Sequence, residues 1–170
     1  MRLFDQEGVA GVGVERITDE ADVAQMTLYR HFDGKDVLVA AAVERWSARW
    51  LRWLEAAVDG PDDDPGTRFA ALWDALAKWF AGEDYRGSFV ANAAGELRGQ
   101  PGHPVHHVVA GHHLALRRLL GRLAECAGVD DPAGLATQLH LLVEGATALS
   151  LVDDRLAAVH AARTLANGSA

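Results

Sequence analysis

The 170-residue chain has a single cysteine, Cys126, and only two lysines against fourteen arginines. A lone cysteine excludes an intramolecular disulfide and a cysteine metal cage, and beside an apolar helix end it is expected to be a small buried hydrophobe. No apolar run approaches the ~20 residues that span a bilayer, and the amino end lacks the charged stretch, apolar core and cleavage site of a secretory leader. A cytoplasmic protein with no membrane partner is expected. The chain also lacks period-two alternation of useful length, internal repeats, a nucleophile motif and a phosphate loop. These absences argue against an enzyme, and no cofactor or metal is called for.

What remains is helical. The chain is 49% hydrophobic with a net charge of −8, enough for one well-cored domain or a small domain fused to a larger one. Breakers divide it into helical blocks, so an all-α fold is expected, with a small amino-terminal unit over residues 1–38 and a larger helical domain over 39–170. One long block from Asp36 to Val58 carries Val39, Val43, Trp46, Trp50, Trp53 and Leu54 on one stripe. Further blocks run over Thr67 to Ala81, over Ser88 to Arg98 with Ser88 as cap, and over Val105 to Ala127. The last two span about Ala133 to Leu151 and Asp154 to Ala166.

Between Val14 and Phe32 the apolar residues Val14, Ile17, Ala21, Val23, Ala24, Leu28 and Phe32 fit two short helices joined by a tight turn near Asp22. That is the pattern of a helix-turn-helix, in which the first helix braces a second that lies in the major groove of DNA. With Leu28 and Phe32 turned inward, Gln25, Thr27, Tyr29 and His31 are left around the solvent side. Gln25 suits an adenine edge, Thr27 a phosphate or thymine methyl, and Tyr29 and His31 backbone oxygens. Arg30 and Lys35 add positive charge.

The run Arg16-Ile17-Thr18, Ala21, Val23-Ala24, Thr27-Leu28-Tyr29-Arg30-His31-Phe32, Lys35 and Leu38 resembles the tetracycline-repressor (TetR) family of bacterial transcriptional regulators. The motif covers roughly a quarter of the chain, with looser similarity around Phe89 to Glu96 and Gln138 to Gly145. Asp22 stands where the family usually has glycine, and Met26 where a small residue is common. Met1 to Gly8 is similar to only the latter half of the family's first helix, so a shortened brace and fewer phosphate contacts are expected.

The resemblance implies double-stranded DNA with a palindromic operator as partner, a homodimer, and a small-molecule inducer. The inducer pocket it implies would use Trp46, Trp50, Trp53, Trp73 and Phe89 as walls and Asn92, Glu96, His112 and His113 as polar groups. Ala136, Gly145, Ala146, Ala148, Ala157, Ala158, Ala161 and Ala162, with Leu139, Leu142, Val143 and Leu149, would build half of a four-helix dimer bundle.

Charge argues the other way. Residues 1–45 contain five basic and nine acidic side chains, although Val23 to Phe32 contains no acid. Modest DNA affinity with a shallow salt slope follows, at about 0.9 per phosphate neutralised. The rival reading is a dimeric small-molecule-binding protein with weak or lost DNA binding. Five histidines cluster at His103, His106, His107, His112 and His113; helical spacing pairs His103 with His107 and His106 with His113, but no carboxylate lies within that segment. His140 and Glu144, four apart, read as a solvated or interface pair.

Overall fold

The computed structural model describes residues 2–59 and 64–168. Their regular structure is all helical: α1 (Arg2–Glu7), α2 (Val14–Glu20), α3 (Gln25–His31), α4 (Lys35–Val58), α5 (Pro65–Phe80), α6 (Phe89–Glu96), α7 (Val105–Cys126), α8 (Pro132–Leu149) and α9 (Arg155–Asn167). The punctuation is chemical. Asp64 accepts from the Thr67 N–H at 2.8 Å just before Pro65, and Asp131 accepts from the Gly134 N–H at 2.9 Å just before Pro132. Ser88 accepts from the Ala91 N–H at 3.2 Å, and Asp154 from the Leu156 N–H at 2.9 Å. Each cap satisfies a backbone donor that the first turn leaves orphaned. No described helix is long and apolar enough to cross a membrane.

The chain forms two compact units, one of Met1–Ala48 with Ser88–His112, the other of Arg49–Gly87 with His113–Ala170. Packing thus groups residues differently from a functional cut at residue 38. In the first unit Phe89, Val90, Ala93, Leu97 and Val105 share one core with Leu3, Phe4, Val9, Val12, Val39 and Val43. Phe4 stacks on Phe89 with centroids 6.3 Å apart, so α6 braces α1 from behind.

Gly8 ends α1 at φ 75°, donating to the Phe4 carbonyl at 3.0 Å, the left-handed cap that glycine adopts without penalty. A Cβ there would lie 2.7 Å from Glu96 Oε2, the atom that accepts the Ala10 N–H at 2.9 Å. Gly8→Ala therefore meets a conformational cost of about 1–2 kcal/mol together with a displaced carboxylate. Thermal melting should show a drop of about 5 °C or more, whereas Gly111→Ala, on a helix with open space at its Cβ, should raise the midpoint slightly. Equal effects at the two sites would contradict this assignment.

In the second unit Leu54, Leu72, Trp73, Leu76, Phe80, Leu116, Leu120, Leu139 and Val143 are buried, and α9 packs on both α5 and α8. Trp79, Phe80 and Tyr85 form an aromatic cluster with centroids 5.1–5.5 Å apart. Burial raises the Tyr85 phenol above its ordinary pKa, against the opposing pull of Ser150 and Arg155. Its hydroxyl lies 2.6 Å from Ser150 Oγ, and Arg155 sits over its ring at 5.3 Å, a cation–π placement.

Two expectations need correction. Cys126 is exposed, not buried: it is the last residue of α7, where the helix face turns to solvent, and Arg68 approaches its Sγ at 3.7 Å. Trp53, expected on the buried stripe of α4, is 39% exposed, because the stripe turns past the neighbouring Trp50 and Leu54, which take the core positions.

Candidate nucleic-acid interface

Helices α2 and α3 pack against each other across a turn built from backbone alone. Asp22 takes φ 52°, the left-handed conformation that Asp tolerates better than most residues, and it stands where the sequence placed the turn. The Val23 N–H donates to the Thr18 carbonyl at 3.0 Å and the Thr27 N–H to Ala24 at 2.8 Å. Thr18 is buried and returns its own hydroxyl to Glu15 at 2.9 Å.

Leu28 is the one buried residue of α3. Gln25, Tyr29, Arg30 and His31 are exposed and Thr27 is half-buried, so seven residues present nearly all their polar side chains outward. Phe32 differs from expectation: it lies beyond the helix with extended backbone at φ −136°, ψ 131°, and is half-buried. Phe32 therefore leaves the helix and does not share one of its faces with Leu28. Met26 is 79% and Tyr29 50% exposed. Met26 was legible in the sequence as a large residue at a position where small ones are common.

Lys35 opens α4 and donates to the Ala10 carbonyl at 3.1 Å, tying the α1–α2 turn to α4 while leaving two ammonium protons free to bond elsewhere. Arg16 pairs with Glu7 and Glu20, each at 3.5 Å, which neutralises part of the acidic flank at the surface.

The nine side chains expected to line an inducer pocket fall in both units. In the first, the Trp46 ring lies 6.4 Å from both Phe89 and His112, and His112 is buried with Nδ1 2.8 Å from Ser47 Oγ. Phe89, Asn92 and Glu96 line a groove of about 460 Å³ with Phe4 and Gly8. In the second, Trp50 meets Trp79 at 5.2 Å and Trp53 at 6.4 Å, Trp73 is fully buried, and His113 is half-buried. The histidine pairs suggested by helical spacing are engaged elsewhere. His103 is buried 3.4 Å from Asp36 and accepts the Val105 N–H at 3.1 Å, while a His106 ring nitrogen lies 3.0 Å from the Gln100 carbonyl. His113 instead meets His140 and Glu144, a meeting of residues far apart in sequence that periodicity within one segment cannot reveal.

Residues 1–42 match the family model described as bacterial regulatory proteins, tetR family. The chain is 25% identical over 166 residues to the HTH-type transcriptional regulator YjdC of Escherichia coli, covering 98% of this chain and 86% of that one. Its fold is similar to that of Escherichia coli NemR in its reduced form, with TM-score 0.87, 17% identity, and coverage of 98% and 90% of the two chains. A TetR-family transcriptional regulator of Streptomyces coelicolor superposes with TM-score 0.87 at 30% identity, covering 98% of this chain and 87% of that one. The helix-turn-helix, the all-helical architecture and these whole-length similarities lead to one conclusion: the chain belongs to the TetR family of DNA-binding transcriptional regulators.

Proposed function

We propose that the protein is a homodimeric repressor whose residues 1–38 dock on a palindromic operator and whose residues 39–170 carry the dimer face and the site of a small apolar effector. The observation that carries this reading is the outward polar surface of α3, free of acids and anchored by Leu28 alone. Gln25 reads a base edge, Thr27, Tyr29 and His31 take backbone and thymine contacts, and Arg30 and Lys35 supply charge. Helix α4 contributes residues to both units as one continuous helix, so an effector that shifts it changes the spacing of two recognition helices.

Fluorescence anisotropy with a duplex from upstream of the protein's own gene tests the interface. Tyr29→Ala should weaken binding about tenfold or more on every sequence, and Gln25→Ala should lose about 1–3 kcal/mol of discrimination at one base position. Both side chains are exposed, so the circular dichroism of the variants should match the parent. Binding that tolerates both changes would overturn the assignment. For the effector, tryptophan emission gives the readout, since Trp50 and Trp79 sit in the aromatic cluster of the second unit. A panel of apolar compounds should shift emission or melting temperature, and a panel that moves neither counts against effector control.

A further inference from the structure

We propose that His113 on α7, with His140 and Glu144 on α8, forms a site for one divalent first-row transition-metal ion of the zinc class. All three belong to the second unit, and His140 and Glu144 stand one helical turn apart on one face of α8. His113 Nδ1 lies 3.3 Å from His140 Nε2 and 3.6 Å from Glu144 Oε1, and the last two atoms are 3.8 Å apart. The nearest point equidistant from the three atoms lies in their plane about 2.1 Å from each, so an ion slightly above that plane keeps near zinc–imidazole and zinc–carboxylate bond lengths. Two neutral imidazoles and one carboxylate are the donor set that zinc, nickel or cobalt prefers over magnesium or calcium.

The surroundings suit an exchangeable ion. The His113 and Glu144 side chains are about one third exposed and His140 only 12%, so the site is reachable from solvent yet partly desolvated. Three protein ligands leave one tetrahedral position for water. Arg117, one turn beyond His113, adds a positive charge near His140. The sequence hides the site because its ligands come from two helices, 27 residues apart at His113 and His140.

Zinc titration of untagged, chelator-treated full-length protein, in competition with a chromophoric chelator, is the test. The site should take up one zinc per chain, and cobalt in its place should show the intense visible bands of a tetrahedral centre. His140→Ala and Glu144→Gln should each weaken uptake at least tenfold, while His106→Ala should leave it unchanged. If His140→Ala fails to fold by circular dichroism, His113→Gln, at a more exposed position, takes its place. Uptake that is absent at micromolar zinc, or unchanged in Glu144→Gln and the folded histidine variant, overturns the proposal.

Discussion

Phe80→Ala is expected to remove about 3–5 kcal/mol of folding free energy, a large share of the ~5–15 kcal/mol that holds an ordinary domain together. Phe80 is fully buried at the end of α5, with its ring 5.5 Å from Trp79 and 5.1 Å from Tyr85. Truncation empties the centre of that cluster, and two rigid aromatic neighbours cannot collapse into the space as flexible side chains would. The carbonyl of Phe80 also accepts from Arg155 at 3.3 Å, so a shift of the α5 end loosens the start of α9. A urea titration should show the midpoint falling with an unchanged slope. A loss below about 1 kcal/mol would mean that the cluster is not the keystone of the second unit.

Leu141→Arg should convert the proposed dimer to monomer without destabilising the chain. Leu141 is 70% and Leu165 62% exposed, and with the exposed Gly145, Ala148, Leu149, Ala157 and Ala161 they leave α8 and α9 apolar on their outer faces. A two-fold interface sets the same patch on both subunits, so one substitution buries two like charges. The expected loss is about 4 kcal/mol, or about a thousandfold in dimer Kd. Operator affinity should fall with it, because a monomer loses the effective concentration of a second recognition helix. Light scattering after size exclusion reads the mass directly. A variant that still runs as a dimer would remove α8 and α9 from the proposed interface.

Much of the fold was legible in residues that punctuate helices. Ser88 was readable as a cap, the structure adds Asp64 before Pro65, Asp131 before Pro132 and Asp154, and the boundaries fall within a few residues of the periodic blocks. Asp22 was legible as a left-handed turn because few other residues tolerate that conformation. The faces of α8 and α9 were not. Both helices are rich in small and apolar residues, so periodicity could not separate Ala136, Leu139, Val143, Ala146, Ala158 and Ala162, which are buried, from Leu141 and Leu165, which are largely exposed. Ser47 and His112 were equally hidden, since their 2.8 Å contact joins residues 65 apart.

The outward polar surface of α3 was the most legible feature, because its seven residues hold one core leucine and otherwise polar or exposed groups. What sequence left open was the balance between that surface and the acids around it. Arg16 draws Glu7 and Glu20 into surface pairs, which are worth little for stability but blunt the negative flank. A shallow salt dependence remains the expectation for binding.

Hydroxyl-radical footprinting on the upstream duplex reads the proposed docking of paired α3 helices, since it reports the grooves contacted and the number of recognition helices at once. Two symmetric protected patches are expected, centred one helical turn, about 34 Å, or a multiple of it apart, both needing about tenfold more protein to appear in Tyr29→Ala. A single unsymmetrical patch, no protection, or a footprint that forms at the same protein concentration in Tyr29→Ala would overturn this docking mode.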